Sequence, residues 1–97
     1  MNVIQIHQTE AYARRFRRLR DQRAKARILV RIRSLSLGNP GDVEPVGKGV
    51  SEMRIHHGPG YRINLAKRRK TLVLLAGGDK STQQRDIRQA QELAEEL

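Results

Sequence analysis

The sequence predicts a single α+β domain over residues 1–97, ordered β-α-α-β-β-β-α, with a mainly antiparallel twisted sheet, a helical hairpin packed on one face and a closing C-terminal helix. Three observations lead there. From Val50 to His57 and from Tyr61 to Lys67, apolar and polar residues alternate with period two around the turn sequence His57-Gly58-Pro59-Gly60, the pattern of an antiparallel hairpin with one buried face. Between residues 9 and 38 the apolar residues recur at helical spacing instead. Thr71 to Ala76 is apolar on both faces, which suits a strand inside the sheet.

Taken in order, Val3 to His7 alternates as a first strand, and Thr9 is positioned to cap a helix whose narrow apolar stripe is Tyr12, Phe16 and Leu19. Asp21 caps a second helix with a stripe of Ile28, Ile32 and Leu35, broadened by Leu29 and stopped by Gly38. Asn39-Pro40-Gly41-Asp42 is a type II turn sequence. After it, Val43-Glu44-Pro45-Val46 is a stiff extended lead into the hairpin, and Gly47 and Gly49 around Lys48 predict a bulge or close approach of backbone to a ligand. In the hairpin, Met53, Ile55, Tyr61, Ile63 and Leu65 fall on one face and Glu52, Arg54, His56, Arg62 and Asn64 on the other. Lys67 to Lys70 turns the chain into the third strand, which ends at Gly77-Gly78-Asp79-Lys80. Ser81 and Gln84 have capping-box spacing, ahead of a closing helix with the stripe Ile87, Ala90, Ala94 and Leu97.

Twenty basic residues against ten acidic give a net charge of +10. Residues 1–36 hold ten basic and two acidic side chains, whereas residues 81–97 hold two and four. Such a charge attracts polyanions through counterion release, and nucleic acid is the leading candidate. The run Arg14, Arg15, Arg17, Arg18, Arg20 is either a solvated helix face or a polyanion surface, and its single sign favours the second. With only Tyr12, Phe16 and Tyr61 as aromatics, a base-stacking platform is not expected. The absence of cysteine excludes disulfides and thiolate chemistry. No apolar run reaches membrane-spanning length and no signal peptide is evident, so the expectation is a soluble cytoplasmic protein with no membrane partner. His7, His56 and His57 lack ligand spacing, so no metal or cofactor is expected.

Hairpin pairing sets Arg54 beside Arg62. Two like charges on one face repel unless an anion lies between them, and guanidinium groups suit phosphate oxygens. The alternative is a solvated face on which Glu52 pairs across the ladder. Glu44, fixed before a proline, is either a positioned base or a loop carboxylate. Lys80, beside a glycine turn and ahead of a helix start, is a candidate phosphate contact.

The motifs GNPGD at 38–42, VGKGVSEMRI at 46–55, GPGYR at 58–62 and LLAGGDKSTQ at 74–83 give the chain, over nearly its whole length, a resemblance to the RelE/ParE toxin superfamily. Within it the sequence is most similar to the HigB-like branch of addiction-module killer proteins. The resemblance implies a toxin of a type II toxin-antitoxin module, neutralised by a cognate antitoxin, expected as a small helix-turn-helix protein encoded alongside. Many members are metal-independent mRNA interferases acting on the ribosome, whereas the ParE branch poisons DNA gyrase. Carried onto this sequence, Glu44 resembles the general base, with Glu52 as substitute, and Arg54 and Arg62 resemble the transition-state arginines. The histidine and tyrosine that end some active members are replaced by GGDK, which leaves Lys80 or His56 as the acid. The expected RNA contacts are Lys48, Arg54, Arg62, Arg14, Arg18 and Lys67.

Overall fold

The computed structural model describes residues 3–97 and is an α+β fold built on a mixed five-stranded sheet. In chain order the elements are β1 (Gln5–Gln8), α1 (Glu10–Arg18), α2 (Gln22–Ser36), β2 (Val43–Gly47), β3 (Val50–Ile55), β4 (Tyr61–Arg68), β5 (Thr71–Gly78), a 3-10 turn (Lys80–Thr82) and α3 (Gln83–Glu95). The strands lie in the order β1-β5-β4-β3-β2, with β1 parallel to β5 and every other pair antiparallel. None of the described helices is long and apolar enough to cross a membrane.

Local capping chemistry sets both early helices as expected. Tyr12 N donates to Thr9 Oγ1 at 3.1 Å, and Thr9 Oγ1 donates in turn to Leu75 O at 2.6 Å, which fixes α1 to β5. Ala24 N donates to Asp21 Oδ1 at 3.1 Å at the start of α2. These helices close one face of the sheet over Tyr12, Ile28, Leu35, Met53, Ile55, Ile63, Leu65, Leu72 and Leu74. The other face packs on α3 through Val50, Ala66, Val73, Leu75, Ala76, Ala90 and Ala94. A bulge in β5 serves that second layer: Asn64 pairs with Ala76 and Leu65 with Leu74, so Leu75 is the extra residue.

Several expectations are corrected. Residues 43–47 form a strand, not merely an extended lead, so the order is β-α-α-β-β-β-β-α. Proline is tolerated there because β2 is the sheet edge, where a missing N–H leaves no ladder bond unmade. Lys48 and Gly49 take φ of 55° and 78° between the paired residues Gly47 and Val50. Positive φ at both central residues marks the two-residue turn that matches strand twist. An irregularity between Pro45 and Gly47 adds the bulge, while no atom approaches the Cβ position of Gly49. The capping box belongs to Asp79 and Thr82, not to Ser81 and Gln84, because the 3-10 turn intervenes before α3. Leu29 and Leu97 are exposed, and Leu93 packs against the α3 layer in place of Leu97.

Candidate functional site

The register of three strands assembles the site row by row. Glu44 on β2 stands opposite Glu52 on β3, and Glu52 opposite Asn64 on β4. In the next row Arg54 faces Arg62, and Arg62 faces Gly78 on β5. All these positions lie on the α3 side of the sheet. The expected division into an apolar face and an open polar face is therefore corrected, since α3 covers much of the polar one and leaves Glu52 and Asn64 only 1% exposed each. Glycine at 78 is required by that covering: a Cβ there would sit 1.9 Å from Asp86 Oδ2.

Glu52 is the hub. Arg54 Nε donates to its Oε1 at 3.2 Å, and Gln83 Nε2, from the first residue of α3, lies 3.2 and 3.1 Å from Oε1 and Oε2. Arg62 Nε is 3.5 Å from Oε1, within ion-pair range but not aligned as a hydrogen bond. Accordingly Arg62 Nε and Nη1, and both polar atoms of Asn64, are buried without a hydrogen-bond partner among the described residues. A guanidinium with buried donors unspent is a strong acceptor-seeking group. Glu44 stays 59% exposed, with Oε1 3.7 Å from Arg54 Nη1. Glu52 first, then Glu44 and Asp42, hold the Arg54 pKa above its ordinary value, so this arginine is a fixed cation.

Other expected site residues are dispersed. His56 does not share the arginine face: it leaves the ladder after Ile55, binds Asp42 Oδ2 at 2.6 Å and lines a groove with Val30 and Arg31 of α2. Lys80 opens the 3-10 turn, where its backbone N–H donates to Pro59 O at 3.3 Å, at the end of β5 nearest Arg62. Lys48 sits in the β2–β3 turn and Lys67 near the far end of β4, about 17 Å of strand from Arg62 at roughly 3.4 Å per residue. Arg14 and Arg18 ride on α1, across the sheet from the arginine pair. Arg18 joins Arg15, Arg20, Tyr61 and Asp79 around a separate groove of ≈ 270 Å³. Thus Arg54, Arg62, Glu44 and Glu52 converge, whereas Lys48, Lys67, Arg14 and Arg18 surround the molecule. No three His, Asp or Glu side chains gather as a metal site among the described residues.

Three participants were absent from the sequence reading. Gln83 reaches Glu52 across 31 residues of sequence. Asp42 holds His56, and Arg31 of α2 donates to the backbone carbonyls of Arg54 and Pro40. A buried glutamate between strands demands a donor, but nothing local names which one. No protein-family model matches the chain. It is 48% identical over 96 residues to an uncharacterized protein of Haemophilus influenzae, an alignment covering 98% of this chain and 97% of that one. Identity of that extent along both chains places this protein in one family with the Haemophilus influenzae protein.

Proposed function

We propose that this chain is the toxin of a type II toxin-antitoxin module, a RelE/ParE-like mRNA interferase that cleaves mRNA on the ribosome without a metal and acts in the cytoplasm. One observation carries the reading: Arg54 and Arg62 face each other on adjacent strands, backed by buried Glu52 and flanked by exposed Glu44. Two cations held this close are suited to a phosphodiester, whose charge grows as phosphorus becomes five-coordinate. Glu44 takes the proton of the ribose 2′-hydroxyl, and the resulting oxygen attacks the adjacent phosphorus. The bond to the 5′-oxygen breaks, that oxygen gains a proton from Lys80 or, less directly placed, His56, and the product ends in a 2′,3′-cyclic phosphate. Glu52 positions the arginines; covered by α3 and bonded to Arg54 and Gln83, it is out of reach of a ribose hydroxyl.

Arg54→Ala and Arg62→Ala are each expected to retain the fold and lower cleavage by about a hundredfold. Primer extension after induction reads the result. New transcript ends with wild type, lost in both variants, support the assignment, and full toxicity of both variants overturns the site. A second reading, a ParE-like gyrase poison, is favoured by the internal pairing of Arg54 with both Glu44 and Glu52, which suits recognition as well as catalysis. DNA breaks with intact transcripts would select it. Under either reading the basic α1 and α2 faces call for an acidic antitoxin surface, and a small helix-turn-helix protein in the adjacent reading frame is expected.

A further inference from the structure

Glu52 and Arg62 are held closer to separation than their charges alone would allow. A carboxylate and a guanidinium buried side by side gain most from a straight hydrogen bond, yet Arg62 Nε stays misaligned 3.5 Å from Glu52 Oε1 and keeps Nε and Nη1 without a hydrogen-bond partner. Something holds the carboxylate in place against that attraction. Arg54 Nε bonds the same Oε1 at 3.2 Å from the neighbouring position on β3, and the Gln83 amide adds the hold from a different element, its nitrogen straddling the two carboxylate oxygens at 3.2 and 3.1 Å. Its anchorage is firm because Gln83 begins α3 directly after the turn capped by Asp79 and Thr82.

We propose that Gln83 is a positioning residue for phosphate recognition: by fixing the buried Glu52 carboxylate it sets the angle at which the partly exposed Arg54 and Arg62 guanidiniums meet an incoming phosphodiester, and it keeps Arg62 from turning inward onto Glu52. This rests on reading the arginine pair as a phosphate site. A neutral amide suits the task better than a third cation. It secures the buried carboxylate without itself competing for the anion.

The test compares Gln83→Met, which keeps length and helix preference but removes the donor, with Gln84→Met at the exposed neighbouring position. Two quantities are measured: the Nε–Hε NMR signals of Arg54 and Arg62 in the free protein, and affinity for a short single-stranded DNA oligonucleotide, which offers phosphodiesters without the 2′-hydroxyl. Gln83→Met is expected to move the Arg62 signal to that of a hydrogen-bonded donor and to weaken oligonucleotide binding about tenfold, while Gln84→Met changes neither. If Gln83→Met lowers the melting temperature but leaves both signals and affinity as in wild type, the residue is merely structural and the proposal is wrong. Arg54→Ala and Arg62→Ala separate this failure from the larger one. Should those variants bind the oligonucleotide as wild type does, the phosphate reading falls and the positioning role with it; should they lose binding while Gln83→Met keeps it, only the positioning role falls.

Discussion

Beneath α1 and α2 the sheet presents Met53, Ile63 and Leu74, whereas beneath α3 it mixes Val50, Val73 and Leu75 with Ala66 and Ala76 and is met by Ala90 and Ala94 of the helix. The large-residue side is a dry layer that holds the fold. On the other side the alanines of α3 let it come close enough for Gln83 to bond Glu52 and for Asp86 to occupy the space above Gly78. Close approach at one end of α3 thus supports a polar cluster at the other. The difference teaches that one sheet face can hold an apolar layer and a charged site side by side, provided the covering helix meets it with small residues.

Opposite substitutions should damage the two faces. Met53→Ala on the dry side is expected to cost about 2–5 kcal/mol, through lost burial and the cavity left behind, and urea unfolding measures it. The arginine site should keep its oligonucleotide affinity in the fraction that stays folded. At the contact residues of α3 itself, Ala90 and Ala94, truncation has little to remove, but enlargement has nowhere to go. Ala90→Leu is expected to cost about 1–3 kcal/mol by overpacking. More tellingly, it should push α3 outward, part Gln83 from Glu52 and weaken oligonucleotide binding. Equal binding by wild type and Ala90→Leu would mean that the helix spacing and the site are independent, and the comparison between faces would lose its point.

How much of this could be seen beforehand follows the range of each interaction. The Thr9 and Asp21 caps, the hairpin turn and the pairing of Arg54 with Arg62 depend on residues close in sequence or on simple alternation, and all were legible. The edge strand β2 was not, because Pro45 speaks against a strand unless its place at the margin is already known. Periodicity put Leu29 into the apolar stripe of α2, but only one side of that helix meets the sheet and Leu29 is left 56% exposed. The burial of Glu52 was hidden for a deeper reason. It depends on α3 returning across β3 and β4, and the alanines that permit this look, in sequence, like an unremarkable short stripe.

The smallest expected effect concerns a link between the layers. Asp21 caps α2 and also lies 3.1 Å from His57 Nε2 in the β3–β4 turn, the same turn whose Pro59 accepts from Lys80 ahead of α3. The Ala24 backbone N–H first, and His57 after it, hold the Asp21 carboxyl below its usual range. A carboxyl whose pKa is lower in the folded than in the unfolded chain adds stability that is complete above the unfolded value, about 3.9, and disappears as pH falls through the folded value. Asn caps a helix nearly as well as Asp, so Asp21→Asn removes the charge while sparing most of the cap. Wild type should therefore be slightly more stable than Asp21→Asn near neutrality, and the two should converge as the pH falls below about 4. Urea unfolding at pH 7, 5 and 3 checks this. A gap that stays constant across the series would show that the carboxylate charge contributes nothing, and that the turn is held against both layers by hydrogen bonding alone.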